Sequence, residues 1–116
     1  MAGSLAPIIL MILKGGESYG YEIIQVLRDK TGGELNVAEG TLYPVLKKME
    51  AKGWVEGNWK KSESGRERKY YAIAPKGMQE LEEQYSQWNF INNLIHKLWE
   101  LPVSISSNLL TAISIA

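Results

Sequence analysis

Two adjacent lysines, Lys47 and Lys48, stand in the stretch EGTLYPVLKKMEAKGWVE at residues 39–56, and Lys60, Lys61, Arg66, Arg68 and Lys69 follow close behind. Cations at this density suit a polyanion, because each one that neutralises a phosphate releases a condensed counterion. The chain as a whole is neutral. Residues 41–76 nevertheless hold nine Lys or Arg against four Glu, a surplus of +5 that leaves −5 for the remainder. Such asymmetry directs one region toward an anionic partner. The plain alternative is a solvated face on which positive charges happen to cluster.

Other chemistry finds little material. His96 is the single histidine and has Glu100 one helical turn on. With no second histidine and no cysteine, this pair reads as a surface ion pair, since a first-row metal wants three or four ligands. Gly15-Gly16 and Gly32-Gly33 lack the pattern of phosphate loops and read as helix stops. No nucleophile, base and orienting group can be assembled, so an enzyme is not expected and no cofactor is implied. The absence of cysteine agrees with a reducing, cytoplasmic setting. The N-terminal run PIILMIL is short and lacks the basic region of a signal peptide, so it reads as a buried helix.

The elements that would position the cations follow from apolar spacing. At 116 residues one core is expected. A first helix is predicted over about residues 5–14, and a second from Ser18 as N-cap to Lys30 with Ile23, Ile24 and Leu27 inward. A third begins at Asn36 as N-cap, with Glu39 three residues on as in a capping box. Its Leu42, Val45, Leu46 and Met49 form one buried stripe, Pro44 predicts a slight kink, and Gly53 with Trp54 ends it as in a Schellman motif. WVEGNWK and RKYYAI flank the polar, glycine-containing KSESGRE and read as a β-hairpin, with Tyr71 and Ile73 inward.

Pro75 suits the first turn of a fourth helix. Its residues Met78, Leu81, Tyr85, Trp88, Asn92, Ile95 and Trp99 recur at alternating steps of three and four, a heptad seam widened by Ile91, Leu94 and Leu98. A face this apolar needs a partner, either the first helix of the same chain or a second copy. Asn92 on that seam would set register. The tail LPVSISSNLLTAISIA is uncharged and too polar for a membrane span.

Three helices followed by a basic hairpin describe a winged helix-turn-helix, mainly α with a small β-hairpin. The third helix would then bury its stripe and present Gly40, Thr41, Tyr43, Lys47 and Lys48 to a DNA groove. Thr41 and Tyr43 can hydrogen-bond to backbone or bases while the lysines meet phosphates. Arg66, Arg68 and Lys69 on one limb of the wing, with Lys60 and Lys61 on the other, would lie along a neighbouring groove. The domains so predicted are 1–74, a DNA-binding winged helix; 75–100, a dimerisation helix; and 101–116, the tail. A winged helix that binds only protein is the competing reading, and the salt dependence of DNA affinity separates the two.

SYGYEI, GTLYPVLKKMEAKGWVE and GRERKYYAIAPKG, in this order and spacing, resemble the PadR-like family of bacterial transcriptional regulators across roughly residues 5–90. The resemblance implies a homodimer on a pseudo-palindromic double-stranded operator, usually a repressor released by a small aromatic effector. It also places Trp88 where some similar regulators stack a planar ligand at the dimer interface. Ala74 stands where the family often has Thr, which leaves the fourth helix without a side-chain cap at a cost of ~1 kcal/mol.

Overall fold

The computed structural model describes residues 2–101. Helix α1 (Ala2–Lys14) leads into a two-residue strand β1 (Ser18–Tyr19), helices α2 (Gly20–Lys30) and α3 (Glu39–Ala51), strands β2 (Val55–Lys61) and β3 (Glu67–Ile73), and helix α4 (Pro75–Trp99). The sheet is antiparallel with order β1-β3-β2, so β3 is central and β2 is an edge. This is a winged helix-turn-helix whose wing is a three-stranded sheet rather than a bare hairpin. Two compact units divide within α4, one ending at Glu82 and the other beginning at Glu83. The uncharged tail beyond Leu101 lies outside the described residues.

Apolar spacing translates directly into the core of the first unit. Ile9, Leu10 and Leu13 of α1, Ile23, Ile24 and Leu27 of α2, and Leu42, Leu46 and Met49 of α3 are buried together with Val55, Tyr71 and Leu81. Val45 and Ile73 are half-buried against this cluster. Both helix stops after α2 and α3 are Schellman motifs. Trp54 N–H donates to the Met49 carbonyl at 3.0 Å and Gly53 N–H to that of Glu50 at 3.0 Å, with Gly53 at φ +76°. The same pattern runs from Gly33 to Arg28 and from Gly32 to Asp29.

The starts of the helices depart from expectation. Ser18 lies buried in β1, paired with Tyr71, and its hydroxyl donates to Glu22 Oε1 at 2.6 Å; the N-cap of α2 is Tyr19, without a side-chain bond. Asn36 likewise lies outside α3, whose N-cap is Ala38, while its Oδ1 accepts from Arg28. In both places the demands of strand pairing and loop packing override the local capping preference. Ala74 precedes α4 as expected, but only 6% of it is exposed and its N–H donates to the Trp54 carbonyl at 2.9 Å. Two residues into α4, Gly77 passes so close to that peptide that a Cβ there would sit 2.1 Å from the Trp54 carbonyl oxygen.

Candidate nucleic-acid interface

Helix α3 divides its faces as the spacing predicts. Leu42 and Leu46 are wholly buried and Met49 nearly so, while Gly40, Thr41, Tyr43, Lys47 and Lys48 are exposed. Lys47 and Lys48 form no ion pair among the described residues. Their ammonium groups are therefore available on a rigid helix whose other side is anchored in the core. Tyr43 leans back over the start of α2, where a Cβ at Gly20 would come within 2.6 Å of its hydroxyl. Glycine at position 20 thus makes room for the ring.

The wing tip is built for exposure. Ser62 and Arg66 close the turn through a 2.8 Å backbone bond, and Gly65 supplies the left-handed residue at φ +83°. Lys61 and Arg66 project from it, exposed and without an ion pair among the described residues. The other three wing cations named from the sequence are engaged within the protein. Lys60 pairs with Glu17 and lies over the Tyr70 ring at 5.1 Å. Arg68 stacks over Tyr19 at 4.3 Å, and Tyr19 meets Tyr70 edge-on at 5.3 Å. Lys69 Nζ donates to Glu50 Oε1 at 2.9 Å.

The last pair reaches further. The second oxygen of Glu50 accepts the Gly57 N–H at 3.2 Å, so one carboxylate ties α3 to both long strands. The bond to Glu50 raises the Lys69 pKa above the ordinary lysine value, against a smaller opposing effect of burial. Burial raises that of the neighbouring Tyr71 phenol. None of Glu17, Tyr19, Glu50 and Gly57 is legible as functional from sequence. The one available hint is that Glu50 stands in the last turn of a helix, where a carboxylate opposes the macrodipole and calls for a cationic partner.

Between α2, α3 and the sheet lies an open cleft of about 500 Å³, walled by Tyr19, Tyr21, Tyr43, Trp59, Arg68 and Tyr71. Its aromatic walls offer ring hydroxyls as hydrogen-bond donors, while the two cations that border it, Arg68 and Lys69, are half-buried and engaged with Tyr19 and Glu50.

The second unit shows a different surface. Tyr85, Trp88, Ile91, Asn92, Ile95 and Trp99 are exposed, along with Phe90, Leu94 and Leu98. Of the seam predicted from the heptads, Met78 is half-buried and Leu81 belongs to the core of the first unit at 5% exposure. Phe90, 66% exposed, is an apolar residue the heptad pattern passes over. His96 and Glu100 form no ion pair, and no cluster of three or more metal-binding side chains occurs among the described residues. No described helix is long and apolar enough to cross a membrane.

Comparison with known proteins gives these observations a context. Residues 9–83 match the Transcriptional regulator PadR-like family. A PadR-like transcriptional regulator from Bacillus cereus is 35% identical, with a TM-score of 0.74 over 86% of this chain and 95% of that one. A PadR-like transcription factor from Bacteroides fragilis is 32% identical, with a TM-score of 0.73 over 83% and 90% of the two chains. The transcriptional regulator YqjI of Escherichia coli is 31% identical over 93 residues, 80% of this chain but 43% of that longer protein.

Proposed function

Because the chain belongs to the PadR-like family of transcriptional regulators, a family of regulators rather than enzymes, we propose that it is a sequence-specific, homodimeric DNA-binding repressor of the cytoplasm. The observation that carries the reading is the pair of lysines without ion pairs among the described residues, Lys47 and Lys48, on the exposed side of a helix whose opposite side buries Leu42, Leu46 and Met49. In this reading Gly40, Thr41 and Tyr43 approach the groove at the N-terminal end of α3, and Lys61 and Arg66 meet phosphates at the wing tip. Half-sites of a pseudo-palindromic operator lie one helical turn apart or a multiple of it. Selection of bound fragments from genomic DNA, followed by a salt titration on the recovered sequence, tests this. Affinity should fall steeply with salt; recovery of no enriched fragment, or a salt-independent affinity, sinks it.

Two copies of the apolar surface on the distal part of α4 cover each other in the proposed dimer, with Asn92 setting register. Trp88, 38% exposed, is the proposed stacking platform for a planar aromatic effector. Release then requires the effector to prefer the form that binds DNA weakly, and linkage requires DNA to weaken the effector by the same factor. Titration of planar phenolic and multi-ring compounds against a protein carrying Trp54→Phe, Trp59→Phe and Trp99→Phe checks this through Trp88 emission. Constant emission across the library, or quenching without change in DNA affinity, removes Trp88 from the role.

A further inference from the structure

Three elements converge on the Glu50 carboxylate, which comes from the last turn of α3 and binds Lys69 of β3 through Oε1 and the Gly57 N–H of β2 through Oε2. Several facts make this more than an incidental surface pair. The two side chains are only 29% and 35% exposed, so their geometry is held by surroundings as well as by charge. β2 is an edge strand, and the amide it offers to Glu50 is a donor with no neighbouring strand to take it. Glycine at position 57 is required for the arrangement, because a Cβ there would lie 2.4 Å from Lys69 Cε and 2.7 Å from Glu50 Oε2. On the opposite face of the sheet, the contacts from Arg68 to Tyr19 and from Lys60 to Glu17 hold the wing from the other side.

Glu50 joins the two elements that carry the exposed cations, Lys47 and Lys48 on α3 and Lys61 and Arg66 at the wing tip. A phosphate ligand must present its charge outward, whereas the Lys69 ammonium is spent on Glu50. We propose that Glu50 is a positioning residue that sets the wing at the angle to α3 required for DNA reading, and that Lys69 is its counterion rather than a phosphate ligand. This rests on the DNA-binding reading above.

The full-length protein carrying Glu50→Gln, Lys69→Met or both provides the test, with binding to the operator fragment recovered by selection followed across a range of salt. Glutamine keeps an acceptor for Gly57 and methionine keeps most of the apolar stem, so each variant retains the packing of the fold. Each single substitution should weaken binding by roughly five- to tenfold, and the double variant by no more than the worse single, as expected for groups acting as one unit. The salt slope should stay at its wild-type value in all three. A slope lowered by about one in Lys69→Met, with Glu50→Gln at wild-type affinity, makes Lys69 a phosphate ligand and overturns the proposal. Wild-type affinity in every variant overturns it equally and leaves the DNA-binding reading standing. A wild-type protein that binds no DNA fragment takes both down. Faster hydrogen exchange of the Gly57 amide in Glu50→Ala, read by NMR without DNA, reports the brace independently; an unchanged rate shows that the carboxylate does not hold β2.

Discussion

The first unit and the distal part of α4 use similar residues to opposite effect. In the winged helix, leucines and isoleucines at helical spacing are covered by one another, and Ile9, Leu10, Ile23, Leu42 and Leu46 are all wholly buried. Beyond Glu83 a stretch of helix with apolar residues at the same spacing leaves Ile91, Leu94, Ile95 and Leu98 each more than two-fifths exposed. Helical periodicity therefore tells which face of a helix wants covering and is silent on whether the chain itself supplies the cover. The first region has finished its core; the second leaves its apolar side chains uncovered, which is the feature on which the proposed dimer rests.

Substitutions separate the two regions, and the largest effects belong to the first. Leu42→Ala should cost ~2–5 kcal/mol, lowering the melting temperature and leaving a cavity where α3 meets α1 and α2. Gly77→Ala should cost ~1–3 kcal/mol as an overpacked contact, because no rotamer relieves a clash between Cβ and a carbonyl oxygen. A wild-type melting temperature for either would show that the first unit is looser than its burial implies. Charged substitution in the second region should act differently. Ile91→Asp with Ile95→Asp should leave secondary structure intact by circular dichroism and convert the proposed dimer to monomer in sedimentation at micromolar concentration. A dimer indifferent to both charges would place the interface elsewhere.

Smaller effects sharpen the picture of the reading surface. Lys47→Ala should reduce the salt slope of DNA binding by about one while leaving the melting temperature unchanged, because in the proposed reading its exposed side chain meets phosphate rather than protein. An unaltered slope would remove it from the interface. The mildest effect is on pH dependence. Lys69 and Tyr71 both have pKa values raised above the ordinary 10.5 and 10.0. A raised folded-state pKa contributes stability that is fully present below the ordinary value and lost as pH rises through the folded one. Thermal stability should accordingly decline above about pH 10, and less so in Lys69→Met. Stability that climbs over that range would contradict the assignment.

Much of this was legible in the sequence, for reasons that differ from residue to residue. The buried stripe of α3, the Gly53 stop, the glycine-containing wing turn and Pro75 at the start of α4 are local signals, each encoded within a few residues. β1 was not legible, because two residues show no periodicity and pair only when β3, some fifty residues away in the chain, is in place. The cap expected at Ser18 failed for the same reason, and the one at Asn36 because its side chain is taken by Arg28 in the preceding helix. The cations divide along this line as well. All are equally plausible as DNA contacts when read as letters, but Lys60 meets a glutamate 43 residues away and Lys69 one 19 residues away. Only folding distinguishes them from Lys47, Lys48, Lys61 and Arg66.

The place of β2 at the border of the sheet has a consequence for how the protein behaves in concentrated solution. A free strand edge is a template on which another chain can add itself, and unguarded edges seed aggregates. Here the outward amide of Gly57 is already taken by a carboxylate, and Lys61 ends the strand with an exposed charge whose hydration an incoming strand would have to strip away. The edge is thereby guarded at these points while the apolar side chains of distal α4 stay uncovered, so in the proposed dimer self-association runs through helix pairing rather than open-ended sheet growth.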